Sequence, residues 1–269
     1  MNTYKNCRIT VLMGIYNCAS TLPDALNSLL EQTYQGFKVV MCDDGSTDNT
    51  FVVAQYYAKN YPDKFILIKN KKNIKLGATL NRCLEYADTE YIARMDADDL
   101  SLPHRFEKEI EYLDSHRNVD VVFSKIQLFD ENGVYFIPNK SKDICPTPKQ
   151  ILTSSPFAHG TCMARTEVFK SVNGYDARII RIEDYDLWFR LYEKGCILCV
   201  IGEPLYQFRE NKGAAARRTF KSSLTACRVL YKGASQLGLS PIWKLYSIKC
   251  LILGIMPVWL YRLLHKHCK

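Results

Sequence analysis

From Ile9 to Tyr16 the chain is almost continuously apolar (ITVLMGIY), the pattern of a strand covered on both faces. The period then changes. Leu22, Ala25, Leu26, Leu29 and Leu30 recur at helical spacing, behind Ser20 and Thr21 as cap candidates and Pro23 in the first turn. A second apolar run, Phe37 to Cys42, stops at the acidic turn Asp43-Asp44-Gly45-Ser46-Thr47-Asp48-Asn49, where Ser46 or Thr47 is placed to cap a helix running toward Tyr61. Phe65–Ile68 reads as a third strand, Gly77–Ala87 as a helix with Leu80, Leu84 and Ala87 on one face, and Tyr91-Ile92-Ala93 as a fourth strand. Such alternation predicts an α/β fold with a mostly parallel sheet, helices on both faces, and ligands at the carboxyl ends of the strands.

The second half is less regular. Pro103 opens a helix to about His116, with Phe106, Ile110 and Leu113 inward, and a long strand, Val119–Phe129, turns at Asp130-Glu131-Asn132-Gly133 into a hairpin. A short helix over Pro146–Ser155, an apolar run ending at Arg165, and a tight turn at Asn173-Gly174 follow. Ile182 to Leu191 is then a helix that buries Leu187, Trp188 and Leu191. It carries Glu183 and Asp184 in its first turn, where the helix dipole favours carboxylates.

Charge divides the chain more clearly than pattern does. The net charge is +8, but residues 209–269 hold twelve Lys or Arg against one acid, a net +11, so the first 208 residues sum to −3. A nucleic-acid enzyme calls for basic residues around its site, whereas here the acidic clusters sit in a mildly acidic body. The division suggests a catalytic domain over 1–210 and a basic helical tail over 211–269. In the tail, 213–238 reads as a basic helix. Cys250–Tyr261 is an uncharged run of twelve residues bracketed by Lys249 and Arg262, with Trp243, Tyr246, Trp259 and Tyr261 around it. That is short of the roughly 20 residues a membrane span needs, and Pro257 interrupts it, so the tail suits an in-plane helix on an anionic membrane surface. The eleven scattered cysteines show no disulfide framework and point to a reducing cytoplasm; Cys196-x-x-Cys199 lies in a buried strand and reads as core. Lys5 and Arg8 precede the first apolar run, but no cleavage pattern follows it, so no signal peptide is expected.

Chemistry concentrates in four acidic or polar clusters. Arg94-Met95-Asp96-Ala97-Asp98-Asp99 sets three carboxyls at the end of the fourth strand, a grouping that suits a hard divalent ion with open positions for phosphate oxygens. An EF-hand fails, because Leu100 stands where a ligand is needed and Ser101 replaces the turn glycine. Asp43 and Asp44 end the second strand and can accept hydrogen bonds from a base imide or ribose hydroxyls. His159 and the pair Glu183-Asp184 complete the set. No glycine-rich dinucleotide or phosphate-loop motif follows the first strand.

Taken in order, ITVLMGIYN, LLEQTY, VVMCDDGSTD, YIARMDADDLSLPHRFEKEIEYL, HGTCMARTEVF, NGYD and EDYDLWFRL resemble a family 2 glycosyltransferase of the GT-A fold over residues 8–210. The resemblance implies an inverting, metal-dependent transfer of one sugar from a nucleoside-diphosphate sugar, most often uridine-based, to a saccharide or lipid-linked acceptor in surface polysaccharide assembly. It implies that Tyr16 stacks on the base and Asp44 hydrogen-bonds it. Asp98 would hold Mn²⁺ or Mg²⁺ against the diphosphate, with Asp96 nearer the ribose or the donor sugar. Asp184 would be the general base with Glu183 beside it, and Arg94 and Arg105 would support the carboxylate cluster. Where the family often has Tyr-Arg-x-His, this chain has Tyr206-Gln207-Phe208-Arg209, which leaves Arg209 to meet the diphosphate as a fixed cation; His159 is a further candidate contact to acceptor or diphosphate. The Gln-x-x-Arg-Trp motif of processive synthases is absent. Competing classes are a sugar nucleotidyltransferase, which calls for a glycine-rich basic loop where Gly14-Ile15-Tyr16-Asn17 stands, and an inactive nucleotide-sugar-binding protein.

Overall fold

β1 (Ile9–Ile15) divides its side chains by period two: Ile9, Val11, Met13 and Ile15 join one apolar cluster, and Leu12 joins another. A strand apolar on both faces needs cover on both. On one face α1 (Leu22–Leu30), α2 (Thr50–Asn60) and α4 (Arg105–Ser115) contribute Leu26, Tyr57 and Phe106. On the other, α3 (Leu76–Leu84), α5 (Pro148–Thr153, the expected short helix), α6 (Thr166–Ser171), α7 (Glu183–Glu193) and α8 (Phe220–Gln236) contribute Leu80, Ile151, Phe169, Trp188 and Leu230. The structure, a computed structural model, describes residues 7–154, 156–210 and 219–255.

Among the described residues nine strands form one sheet in the order β3-β2-β1-β4-β8-β6-β9-β5, and β7 (Gly133–Phe136) pairs with β6 (Val121–Asp130) in the expected hairpin. β1, β2 (Phe37–Asp43), β3 (Phe65–Lys69) and β4 (Tyr91–Arg94) are parallel, as the alternation predicts. Beyond β4 the sheet is mixed. β8 (Met163–Arg165) runs antiparallel to both β4 and β6, β9 (Leu198–Arg209) is parallel to β6, and the two-residue β5 (Leu100–Ser101) is antiparallel to β9. Only the first half is therefore wholly parallel. The reversal has a local cause: a 3₁₀ turn at His159–Thr161 delivers the chain to the carboxyl end of β4, where Met163 pairs with Ala93, so β8 enters the sheet from the site end without a helical crossover.

Thr21 is the N-cap residue of α1 as expected, but neither it nor Ser46 or Thr47 caps a helix with its side chain. Ser46 Oγ accepts from the Asn17 backbone N–H (3.1 Å) and the Thr47 N–H donates to Asn17 Oδ1 (2.8 Å), so the turn is tied to the end of β1 while α2 starts only at Thr50. Thr21 Oγ1 donates to the Ala97 carbonyl (3.0 Å), fastening the start of α1 to the acidic loop. Cys199 is buried as expected, but it is disulfide-bonded to Cys145, a correction to the all-thiol expectation. The bridge between Ile144 and Val200 sets the two cysteines side by side across 54 residues of sequence, a distance no spacing rule reads.

The described part of the tail packs on the body through α8. A Cβ on Gly233 would sit 2.3 Å from the Phe189 ring, so the two helices touch where the side chain is missing. Trp243 and Tyr246, expected at a lipid boundary, instead lie against the cluster that holds Trp188 and Leu230. α9 (Pro241–Tyr246) and α10 (Lys249–Ile255) follow, and no described helix is long and apolar enough to cross a membrane. The start of the expected basic helix and Pro257, Trp259, Tyr261 and Arg262 lie outside the described residues.

Candidate active site

β4 ends at Arg94, and the next five residues turn across the carboxyl edge of the sheet. Asp96, Asp98 and Asp99 bring one oxygen each to within 4.8 Å of one another. Buried Arg94 forks two nitrogens onto the Asp96 carboxylate, which raises the guanidinium pKa despite its burial. Asp98 has no ion pair among the described residues; burial, then the Asp96 charge, raises its pKa. Asp99 is 1% exposed, and burial with the Asp96 charge pushes it up to about 8. Its Oδ1 accepts from the Arg209 N–H (2.8 Å), while Oδ2 lacks a hydrogen-bond partner among the described residues. Two carboxyls crowded above their ordinary range and one orphaned oxygen fit a hard divalent ion such as Mn²⁺ or Mg²⁺, which takes oxygen ligands and relieves the repulsion.

The cluster is braced from below. Tyr206, fully buried, accepts from the Asp96 N–H (3.1 Å), and its hydroxyl lies where a Cβ on Gly160 would approach to 2.6 Å. Arg105 does not reach the aspartates. Its Nε spans both Glu109 oxygens (3.1 and 3.2 Å), and one terminal nitrogen donates to the Arg94 carbonyl (2.9 Å). It thus holds the strand end rather than the carboxylates.

Glu183 and Asp184 open α7 as expected, after Ile182 at φ 55°, a left-handed conformation that a β-branched residue rarely adopts. Burial raises Glu183 to about 7 and raises Asp184 as well; both feel the charges of Arg94 and Asp96. Arg94 thereby links the α7 turn to the acidic cluster across 90 residues of sequence. His159 turns away from that role: its Nε2 bonds the Tyr175 hydroxyl (2.7 Å), its ring meets Trp188 edge-on, and burial drives its pKa well below the usual value, leaving a neutral, oriented imidazole.

Tyr16 is 47% exposed just past the end of β1. Asp44 uses its carboxylate on its own chain, accepting from Asn70 Nδ2 (2.8 Å), the Ile74 N–H (2.8 Å) and the Lys75 N–H (3.0 Å). Asp43, fully buried, accepts from the Ser46 N–H (3.2 Å) and keeps Oδ2 3.8 Å from Lys69 Nζ. Arg209 donates from Nε to the Asp98 carbonyl (2.8 Å), meets Asp24 (3.4 Å) and stacks over Phe129, clamping the acidic turn to β9. Sequence reasoning missed Asn70 and Asp24, which stand in no motif, and named Tyr206 only as the start of the stretch that ends at Arg209, without a role in the site. It also missed a conformational signal. Among the described residues, three of the four non-glycine residues with positive φ, Asn17, Lys75 and Ile182, adjoin Tyr16, bond Asp44 and precede Glu183, and such strain gathers at functional sites.

Comparison with known proteins bears on the family and the fold. The family model described as "Glycosyl transferase family 2" matches residues 10–172. A putative glycosyltransferase of Bacillus subtilis, EpsE, is 39% identical over 264 residues, covering 96% of this chain and 93% of that protein. The amylovoran biosynthesis glycosyltransferase AmsE of Erwinia amylovora is 30% identical over 215 residues, covering 78% and 79%. Among solved structures, S. aureus TarS in complex with UDP-GlcNAc superposes with a TM-score of 0.70 at 20% identity, covering 92% of this chain and 71% of that one. The mannosyltransferase PcManGT of Pyrobaculum calidifontis, in complex with GDP-Man and Mn²⁺, gives 0.64 at 18%, covering 97% and 79%. A family match over more than half of the chain, on a sheet whose strand ends carry the acids described above, makes this protein a GT-A-fold enzyme of glycosyl transferase family 2.

Proposed function

We propose that the protein is an inverting, metal-dependent glycosyltransferase that moves one sugar from a UDP-sugar to a hydroxyl of a saccharide or lipid-linked acceptor in cell-surface polysaccharide assembly. The observation that carries this reading is the shared Arg94: Glu183, Asp184, Asp96 and Asp98 all feel one buried guanidinium, so a base and a cation site lie within electrostatic reach of the same group. Tyr16 offers its ring to the nucleotide base, and Asp44 orders the 70–75 loop beside it. Asp98 and Asp99 hold Mn²⁺ or Mg²⁺, with Asp96 toward the ribose or donor sugar; a bound ion supplies positive charge against the departing diphosphate. Asp184 takes the proton of an acceptor hydroxyl as that oxygen attacks the anomeric carbon from the face opposite the diphosphate. The carbon–diphosphate bond breaks and the configuration inverts. The complexes of UDP-GlcNAc with TarS and of GDP-Man and Mn²⁺ with PcManGT support the donor class and the ion, and the name of AmsE supports polysaccharide assembly.

Incubation with a panel of nucleotide sugars and acceptors tests the reaction. Nucleoside diphosphate released together with an inverted glycoside supports it; pyrophosphate exchange or silence with every donor rejects it. A pH profile adds detail. Because Glu183 keeps its proton up to about pH 7, the pair carries less negative charge below that point, so transfer should climb as pH rises through 7. Glu183→Gln should flatten that limb at modest cost in maximal rate. An unaltered limb in the variant would assign the titration elsewhere.

We place the protein at the inner, cytoplasmic face of the plasma membrane, attached through its tail. Ile242 and Leu245 on α9, Ile248 in the turn after it and Ile252 on α10 are all exposed, close to Lys244 and Lys249. Apolar side chains with flanking lysines suit the boundary of an anionic bilayer. Full-length protein should sediment with anionic liposomes and a chain ending at residue 240 should remain in the supernatant. Equal sedimentation of both would show that the tail does not attach the protein.

A further inference from the structure

At the amino edge of the sheet, the end away from the acidic cluster, a cavity of about 680 Å³ opens between the starts of β1 and β4 and the end of α4. Its walls are charged almost throughout, formed by Arg8, Glu90, Asp114, Arg117 and Arg165 with only Tyr91 and Leu113 besides. Ligand pockets are ordinarily apolar with a few polar groups, so this inverted composition selects a ligand that is polar over its whole surface. Arg8 is fully paired. Its Nε donates to Glu90 (2.7 Å) and its two terminal nitrogens to the Asp114 carboxylate (2.8 and 2.7 Å). The other two arginines are not paired. Arg165 donates to the Val119 and Leu113 carbonyls (3.2 and 2.8 Å) and to the Tyr91 hydroxyl (3.4 Å). Neither it nor exposed Arg117 has a carboxylate within ion-pair distance among the described residues. The Tyr91 ring is already engaged by cations, with the Arg8 and Arg165 guanidinium carbons 5.2 and 5.7 Å from its centroid, which disfavours a flat apolar ligand such as a nucleobase.

We propose that this cavity binds a sugar phosphate, at a site separate from the one that transfers sugar. Arg117 and Arg165 take the phosphate, because a guanidinium presents its N–H groups as a planar fork that matches phosphate oxygens. Glu90 and Asp114 take the hydroxyls. Their side chains remain 48% and 42% exposed beside Arg8, and a carboxylate oxygen accepts more than one donor. Charge complementarity selects the whole molecule over its parts. Three arginines against two acids leave a net charge of +1, so an anion is attracted, yet a bare phosphate brings no hydroxyl to the carboxylates and meets their repulsion. A neutral sugar leaves both unpaired arginines unmatched. The strand that carries Tyr91 ends in Arg94, three residues or about 10 Å further along, so the cavity and the acidic cluster occupy opposite ends of β4.

Calorimetry on the full-length protein, saturated with UDP and Mn²⁺ so that the donor side is filled, tests this with glucose 1-phosphate, inorganic phosphate and glucose as probes. Glucose 1-phosphate should bind at least about tenfold tighter than either fragment. Arg117→Glu should weaken it by at least about tenfold and leave the melting temperature unchanged, since that side chain is exposed and unpaired. Glu90→Ala should shrink its advantage over phosphate, because an acceptor for the sugar hydroxyls is gone. Should Glu90→Ala melt early, the ranking of the probes on the unaltered protein and the Arg117→Glu result decide. Phosphate binding as tightly as glucose 1-phosphate means a free-anion site, and glucose binding as tightly means that the arginines take no phosphate. Binding seen only without UDP places the probe on the donor side. Binding that appears only after removal of residues 1–6 means that the chain's own start fills the cavity. Each of these results, like silence with all three probes or an unaltered affinity in Arg117→Glu, overturns the proposal. The readout involves no sugar transfer, so this site and the proposed reaction stand or fall separately.

Discussion

Asp184→Asn should reduce sugar transfer by roughly 10²–10⁴-fold, the usual contribution of a placed proton acceptor, while leaving affinity for UDP and Mn²⁺ near that of the unaltered protein. The split follows from position. Asp184 stands on α7, across Arg94 from the aspartates that hold the donor in the proposed reaction, so it engages the acceptor and not the nucleotide. A purely structural Asp184 forecasts the opposite, since Asn caps helices as well as Asp does and would leave turnover and melting unchanged. That alternative is already weakened, because the N-cap of α7 is Ile182 and receives no side-chain cap bond. Turnover, donor affinity and a melting curve on the same preparation distinguish the two; transfer at the normal rate in the variant would remove the mechanism.

The second large effect is expected at the aspartate cluster. Asp98→Asn keeps shape but removes a charge from a ligand, and metal-dependent binding of UDP should weaken by at least the 10–100-fold seen when even outer supports of a metal site are lost. Stability should move the other way. Asp98 and Asp99 are both raised above their ordinary range by burial and by neighbouring charge, so deleting one charge relieves repulsion, and the variant should melt higher than the original when no metal is present. Added Mn²⁺ should then raise the melting temperature of the unaltered protein much more than that of the variant. Unchanged metal-dependent binding in calorimetry would reject Asp98 as a ligand. A variant that melts lower without metal would show a structural role instead.

The residues between these two sites explain why each effect should be separable. Arg94 forks onto Asp96 and has no such bond to Asp98, and Arg105 holds the Arg94 carbonyl while its own charge faces Glu109, itself raised to about 7 by burial. Neutralising Asp98 therefore leaves both guanidinium contacts in place.

What the sequence determined by itself was whatever depends on neighbours a few positions apart. Apolar runs and helical stripes specify strands and helices because burial acts on side chains at a fixed period, and so β1 to β4, α1, α4, the β6–β7 hairpin and α7 are legible. The acids at the ends of β2 and β4 are legible too, because their place follows from where each apolar run stops. The tertiary structure alone decided which groups meet across long stretches of chain. Arg94 senses Glu183 and Asp184 from 90 residues away, Arg209 reaches the Asp98 carbonyl over 111, and Tyr206 receives the Asp96 N–H over 110. It also decided that Asp44 spends its carboxylate on the 70–75 loop, that β8 enters antiparallel, and that Cys145 meets Cys199. The physical reason is common to all of these: a buried charge or polar group takes whichever partner the packing brings within about 3 Å, and no local periodicity records that choice.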